Sequence, residues 1–99
     1  IDSVVVDVSF ISLDFIIPEI DRFLKKGGEV VVLIKPQFEV GKGNLNRQGV
    51  VKNESLYQTV IDKIKMNFQE RDYDVKGIID SPIRGGTGNK EFLLYAIKK

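Results

Sequence analysis

The sequence contains no cysteine and no histidine. Without cysteine there is no disulfide framework, no thiolate zinc site and no thiol nucleophile. Without histidine, Ser-His-Asp and Cys-His catalysis are excluded within these 99 residues, as are histidine metal sites, so no metal is expected. The lack of cysteine fits a reducing, cytoplasmic compartment. Nor does one charge dominate. Fifteen Lys+Arg against fourteen Asp+Glu leave +1, so no global basic field argues for nucleic acid, and such a contact must come from a local patch. Long hydrophobic runs are missing too. The longest, Phe92 to Ile97, falls far short of the roughly 20 residues a membrane span needs, and no membrane partner is expected. The start, Ile1-Asp2-Ser3, has no initiator Met, no basic n-region and no apolar h-region. It leads at once into a buried-looking strand, and we read residues 1–99 as a fragment of a longer protein.

What is present is ordinary globular composition, 42% apolar and 29% charged, which rules out a disordered tail, a collagen-like chain and a coiled coil. Val4-Val5-Val6-Asp7-Val8 is β-branched without strict alternation, the pattern of a strand buried on both faces. Ser9 or Ser12 can cap the helix that follows. Leu13, Ile16, Ile17, Ile20, Phe23 and Leu24 recur at helical spacing, predicting a helix over 13–25. Pro18 must sit in its first turn or kink it, and Gly27-Gly28 supply a left-handed stop. Glu29 to Lys35 is a second buried strand, ended by Pro36. Residues 36–52 form a long loop with Gly41, Gly43 and Gly49, a length that usually signals function or mobility. Asn53 caps a helix to about Arg71, with Leu56, Val60, Ile64 and Phe68 on one face. A third strand runs from Tyr73 or Asp74 to Asp80 or Ser81 and is closed by Pro82. A turn-rich loop over 83–89 leads to a last strand, Lys90 to Ile97.

This alternation means an α/β layer fold, a partial Rossmann-like sheet with two main helices. Right-handed crossovers make the first three strands parallel. The short connection over 83–89 has no room for a crossover, so the last strand runs antiparallel. In such sheets ligands bind beyond the carboxyl ends of the parallel strands. Asp7 and Lys35 lie at that end of the first two strands, and Glu91 starts the antiparallel one, so all three share a rim. Each also has a plain structural reading: Asp7 as a turn residue, Lys35 as a solvated strand end, Glu91 as a solvent-facing strand residue. Lys42, Arg47, Lys52, Arg84 and Lys90 put five positive charges in or beside the two rim loops, a local phosphate-contacting patch or simply a solvated surface. Neither glycine-rich loop fits a Walker pattern, and there is no G-x-G-x-x-G.

VVVDVSFISL, FLKKGG, VLIKPQFEVG, QGVVKN and SPIRGGTGNKEFLL together resemble the hemolysin A (TlyA) family of FtsJ-like 2′-O-ribose methyltransferases, over Ser3 to about Leu94. The chain is similar to the C-terminal half of that family's methyltransferase domain. The resemblance implies a Rossmann-like S-adenosylmethionine methyltransferase sheet with an antiparallel last strand, as read above from connection lengths. It implies methyl transfer to a ribose 2′-hydroxyl of ribosomal RNA, at cytidine, with ribosomal RNA or ribosomal subunits as partners. Of the family's Lys-Asp-Lys-Glu set it matches Asp7, Lys35 and Glu91 as catalytic residues, with Asp7 and Ser9 beside the S-adenosylmethionine. The family's first lysine, its glycine-rich cofactor turn, its ribose-binding acid and its S4-like RNA-binding domain have no counterpart in these residues, so the 99 residues alone are expected to be inactive.

A lysine serves as base only when burial or a like charge lowers its pKa. Two carboxylates around Lys35 act in the opposite sense, so its expected role is to steer the hydroxyl and stabilise the alkoxide; which lysine is the base stays open. The exposed edge of the first strand predicts self-association. Two other readings stay open: an S-adenosylmethionine methyltransferase with a non-RNA substrate, and a non-catalytic α/β interaction module.

Overall fold

Four strands and two helices alternate along the chain: β1 (Ser3–Val6), α1 (Leu13–Phe23), β2 (Glu29–Ile34), α2 (Ser55–Glu70), β3 (Tyr73–Asp80) and β4 (Phe92–Lys98). The structure is a computed structural model that describes residues 2–9, 11–81 and 89–99. The strands form one sheet in the order β1-β2-β4-β3. β1 pairs parallel with β2, while β4 pairs antiparallel with both β2 and β3. The first three strands therefore point one way and β4 fills the gap between β2 and β3. This is the expected mixed α/β sheet. Of the expected 83–89 turn, only Asn89 lies within the described residues, and Pro82 also lies outside them.

Both helices pack on one face of the sheet. Ile17 and Ile20 of α1 and Val60, Ile64 and Phe68 of α2 share a core with Val30, Val32 and Ile34 of β2 and Leu94 and Ala96 of β4. Phe68 and Tyr73 meet edge to face, with ring centroids 5.2 Å apart. The opposite face carries no helix among the described residues. Burial therefore alternates along β2, and Val5 of β1 is 79% exposed. This corrects the expectation that β1 and β2 are buried on both faces. Their unbroken Val/Ile runs encode two apolar faces, and the two helices cover one.

Local boundaries follow side-chain chemistry. The Ser12 hydroxyl caps α1 by accepting from the Asp14 amide at 3.1 Å. α1 ends at Phe23, two residues before the expected Lys25, and Gly27 takes a positive φ of 82° in the turn that follows. The helix runs through Pro18 at its sixth residue, beyond the first turn, where the missing N–H leaves the Asp14 carbonyl without its i+4 donor. Asn53 accepts from the Ser55 amide and hydroxyl at the start of α2, at 3.0 and 2.9 Å. Asp72, at φ 65°, makes the tight turn into β3.

The long segment 36–52 is built rather than open. It contains two 3-10 turns, Pro36–Phe38 and Lys42–Asn44, and an antiparallel bridge between Leu45 and Val51. The Asn46 side chain accepts from the Gln48 and Val50 amides, turning the chain back on itself. Among the described residues no helix is long and apolar enough to cross a membrane.

Candidate functional site

The site lies where β1 and β2 end and β4 begins. Val6 pairs with Val32, and Ile34 pairs with Phe92. One residue beyond those pairs stand Asp7, Lys35 and Glu91, so sheet register alone brings three strands' charged residues to one rim. This edge, outside the carboxyl ends of parallel strands, is the usual ligand-binding position of α/β sheets.

Lys35 is the centre of the first group. Its ammonium lies 2.6 Å from Asp7 Oδ1 and donates to the Ser9 hydroxyl at 2.9 Å. The lysine side chain is 15% exposed and the Asp7 side chain 62% exposed, so a mostly covered cation is paired with a carboxylate open to solvent. Pro36 follows at once and is buried, which terminates the strand and fixes the direction of the chain leaving it. The next turn is closed by the Phe38 amide donating to the Lys35 carbonyl at 3.0 Å.

Glu91 belongs to a second group. It is 7% exposed, an unusual state for a carboxylate, so it does not face solvent. Gln37 Nε2 donates to its Oε2 at 3.2 Å, and the Ser81 amide donates to its main-chain carbonyl at 2.8 Å. Among the described residues no hydrogen bond or ion pair joins Glu91 to Lys35. The amide of Gln37, two residues past Lys35, connects the β2 exit to the β4 entry instead.

Three more polar side chains frame the rim, none of them given a role by the residue pattern. Glu39 is buried, with its side chain 2% exposed. It accepts from the Ser12 hydroxyl at 2.6 Å, the Leu13 amide at 2.8 Å and the Lys63 ammonium at 3.0 Å. It thus caps α1 from 26 residues away. Burial alone would lower the Lys63 ammonium, but Glu39 and then Asp14 outweigh that and hold it above the usual lysine range. Asn89, fully buried, accepts from the Val51 amide and donates to the Gly49 carbonyl, both at 2.9 Å, pinning the 36–52 segment beside Glu91. Gln37 is the third. Part of the signal is in the sequence: Gln37 and Glu39 share the Lys-Pro-Gln-Phe-Glu stretch with Lys35, and Asn89 the Asn-Lys-Glu-Phe stretch with Glu91.

Of the basic residues expected near RNA, Lys42, Arg47, Lys52 and Lys90 are exposed. Lys52 donates to the Gly43 carbonyl at 3.3 Å, which ties its side chain to the loop. Arg84 lies outside the described residues. Asp7 and Ser9, expected beside a cofactor, are exposed past the end of β1. Their carboxylate and hydroxyl offer acceptors and a donor there, a chemistry that fits the ammonium and carboxylate of an amino-acid moiety.

Comparison with known proteins gives a consistent set. Residues 1–98 match the family described as FtsJ-like methyltransferase. The chain is 39% identical over 90 residues to a candidate rRNA methyltransferase, YqxC, of Bacillus subtilis, covering 91% of this chain and 32% of that protein. It is 37% identical over 95 residues to the 16S/23S rRNA (cytidine-2′-O)-methyltransferase TlyA of Mycobacterium tuberculosis, covering 96% of this chain and 35% of that one. The crystal structure of a candidate hemolysin from Lactococcus lactis superposes with a TM-score of 0.92 at 42% identity, over 99% of this chain and 47% of that chain. The chain spans about a third of the length of these two curated relatives.

Proposed function

The chain belongs to the FtsJ-like methyltransferase family, and from that premise we propose that it is the C-terminal half of an S-adenosylmethionine-dependent methyltransferase domain acting on ribosomal RNA. The acceptor in this reading is a ribose 2′-hydroxyl, at cytidine, in line with relatives named for cytidine-2′-O transfer. The observation that carries the reading is the Lys35–Asp7 pair at 2.6 Å, set on the rim next to the buried Glu91.

S-adenosylmethionine, when bound, supplies an electrophilic methyl group on a sulfonium. The chain's own residues have the task of presenting the hydroxyl. In-line displacement demands close alignment of the reacting atoms, so positioning is expected to dominate the rate effect. The Lys35 ammonium is the group that steers the 2′-hydroxyl and stabilises negative charge as it develops on that oxygen. Asp7 and Ser9 hold Lys35 in place, and Asp7 and Ser9 also border the methionine moiety. Glu91 supplies a fixed carboxylate on the far side of the rim. Lys42, Arg47, Lys52, Arg84 and Lys90 serve as phosphate contacts, which position RNA without reading its sequence. The partners in this reading are ribosomal RNA or ribosomal subunits, and the 99 residues alone are inactive.

The test is radiolabelled methyl transfer from S-adenosylmethionine to unmethylated ribosomal subunits, with the full-length protein run beside the 99-residue chain. Transfer by the full-length protein alone is expected. Lys35→Ala in the full-length protein should abolish transfer without unfolding it. Turnover like wild type in that variant would end the role given to Lys35. No transfer by the wild-type full-length protein would remove the methyltransferase reading and favour an interaction module.

A further inference from the structure

Gln37 carries an oddity that the roles given so far do not use. Its Oε1 is buried and, among the described residues, has no hydrogen-bond partner. Its Nε2 donates to Glu91 Oε2 at 3.2 Å. The orientation of the amide follows from that contact, because the reverse would set a carbonyl oxygen against a carboxylate. A buried acceptor without a donor is a standing cost to folding, and such groups call for an explanation. Methionine has nearly the same length and shape and would carry no such cost, but it would leave Glu91 Oε2 without this donor.

The backbone around both residues is already fixed by other means. The Phe38 and Glu39 amides donate to Lys35 and Pro36 carbonyls, and Glu91 is held through the Ser81 amide and the Ile34–Phe92 pairing. Gln37 is therefore not needed to close its turn. What its amide alone supplies, among the described residues, is a donor to the Glu91 side chain. A carboxylate that is 7% exposed gains little solvation from water, so among the described residues it is this donor that governs where it points.

We infer that Gln37 is a positioning residue for catalysis, whose side-chain amide aims the Glu91 carboxylate at the rim that Lys35 occupies. The inference rests on the methyltransferase reading above and deepens it. Gln37 acts through Glu91 and is given no contact with RNA or cofactor.

The experiment uses the full-length protein with two substitutions, Gln37→Met and Gln37→Glu, measuring kcat, KM for RNA and for S-adenosylmethionine, and melting temperature. Gln37→Met removes the unpaired acceptor and the donor together. Its expected signature is a kcat about tenfold lower, the loss of one hydrogen bond to a charged group, with both KM values unchanged; the melting temperature moves little, because the acceptor relieved on residue 37 is offset by the donor lost to Glu91. Gln37→Glu keeps the length but sets a second carboxylate against Glu91, and should lower kcat further. A residue with only a structural role would lower the melting temperature and leave kcat per folded molecule at the wild-type value, and that result overturns the inference. So does an undiminished kcat in Gln37→Met beside an active wild type, which leaves the methyltransferase reading intact. An inactive wild type overturns that reading, and the inference with it.

Discussion

The buried Glu39 offers the sharpest test of how the rim is held. Replacing it by glutamine keeps shape and one acceptor oxygen but removes the charge. At present one oxygen serves the Ser12 hydroxyl and Lys63, and the other serves the Leu13 amide. A glutamine must keep its carbonyl on the Leu13 amide, because that amide can only donate. Its NH₂ group then meets the Lys63 ammonium and the Ser12 hydroxyl, which already accepts from the Asp14 amide. The Lys63 contact is lost, two charge-assisted bonds become neutral or disappear, and the N-terminus of α1 keeps only Asp14 as an anion in its first turn. The Lys63 side chain is 40% exposed, so its share is discounted for solvent screening. The cost should be about 2–3 kcal/mol. Lys63→Met should cost less, about 1 kcal/mol, because the cap itself survives. Urea unfolding of the two variants, with the slope unchanged, measures both. A cost below ~0.5 kcal/mol for Glu39→Gln would refute the capping argument. Equal costs for the two variants would show that the ion pair, not the cap, carries the stabilisation.

Two further outcomes are expected. Burial alone would raise the Asp21 carboxyl, but the Tyr73 hydroxyl at 2.9 Å and the Lys98 ammonium at 3.2 Å outweigh it and hold it below its ordinary value of 3.8. A depressed folded pKa adds stability that is present above the unfolded value and lost as pH falls through the folded one. Asp21→Asn should therefore flatten the loss of stability below about pH 4, and an unchanged acid limb in urea midpoints would count against this. The second concerns the sheet edges. β3 breaks its register between Val75 and Gly77 and displays Asp74, Lys76 and Asp80, features that discourage further pairing. β1 has no such guard, so the 99-residue chain should self-associate with rising concentration, and Val5→Lys should suppress it. Light scattering that finds a clean monomer at high concentration would refute the edge argument.

The framework was legible because it is written in local periodicity. The Val and Ile runs of β1 and β2, the 3.6-residue spacing in α2 and the short link before β4 determine element type and strand direction. The rim position of Asp7, Lys35 and Glu91 followed from direction alone. Glu39, Asn89 and Gln37 were hidden for the opposite reason. Their partners lie 26, 38 and 54 residues away, and a side chain bonding to distant backbone or carboxylate leaves no period in the chain. The coverage of the sheet was misread because an apolar face in the sequence does not say which layer meets it. Pro18 lies beyond the first turn, the second of the two expected placements, and tertiary packing of Ile17 and Ile20 holds α1 together past its missing hydrogen bond.

Helix α1 is held at both ends by charges of the sign its dipole favours, and beside the local Asp14 and Arg22 each end has one from far along the chain. Glu39 sits at its start, while Lys98 donates to the Asp21 and Leu24 carbonyls at its end, 2.7 and 2.9 Å away. The second of these anchors is synthesised 77 residues after Asp21. An eleven-residue helix is marginal without tertiary support. As the chain emerges from the ribosome, α1 must wait for β4 before its carboxyl end is secured. Acquisition of the native state is then expected to be a late, all-at-once event rather than a progressive one. The first helix is then expected to be among the last elements to become protected from solvent exchange.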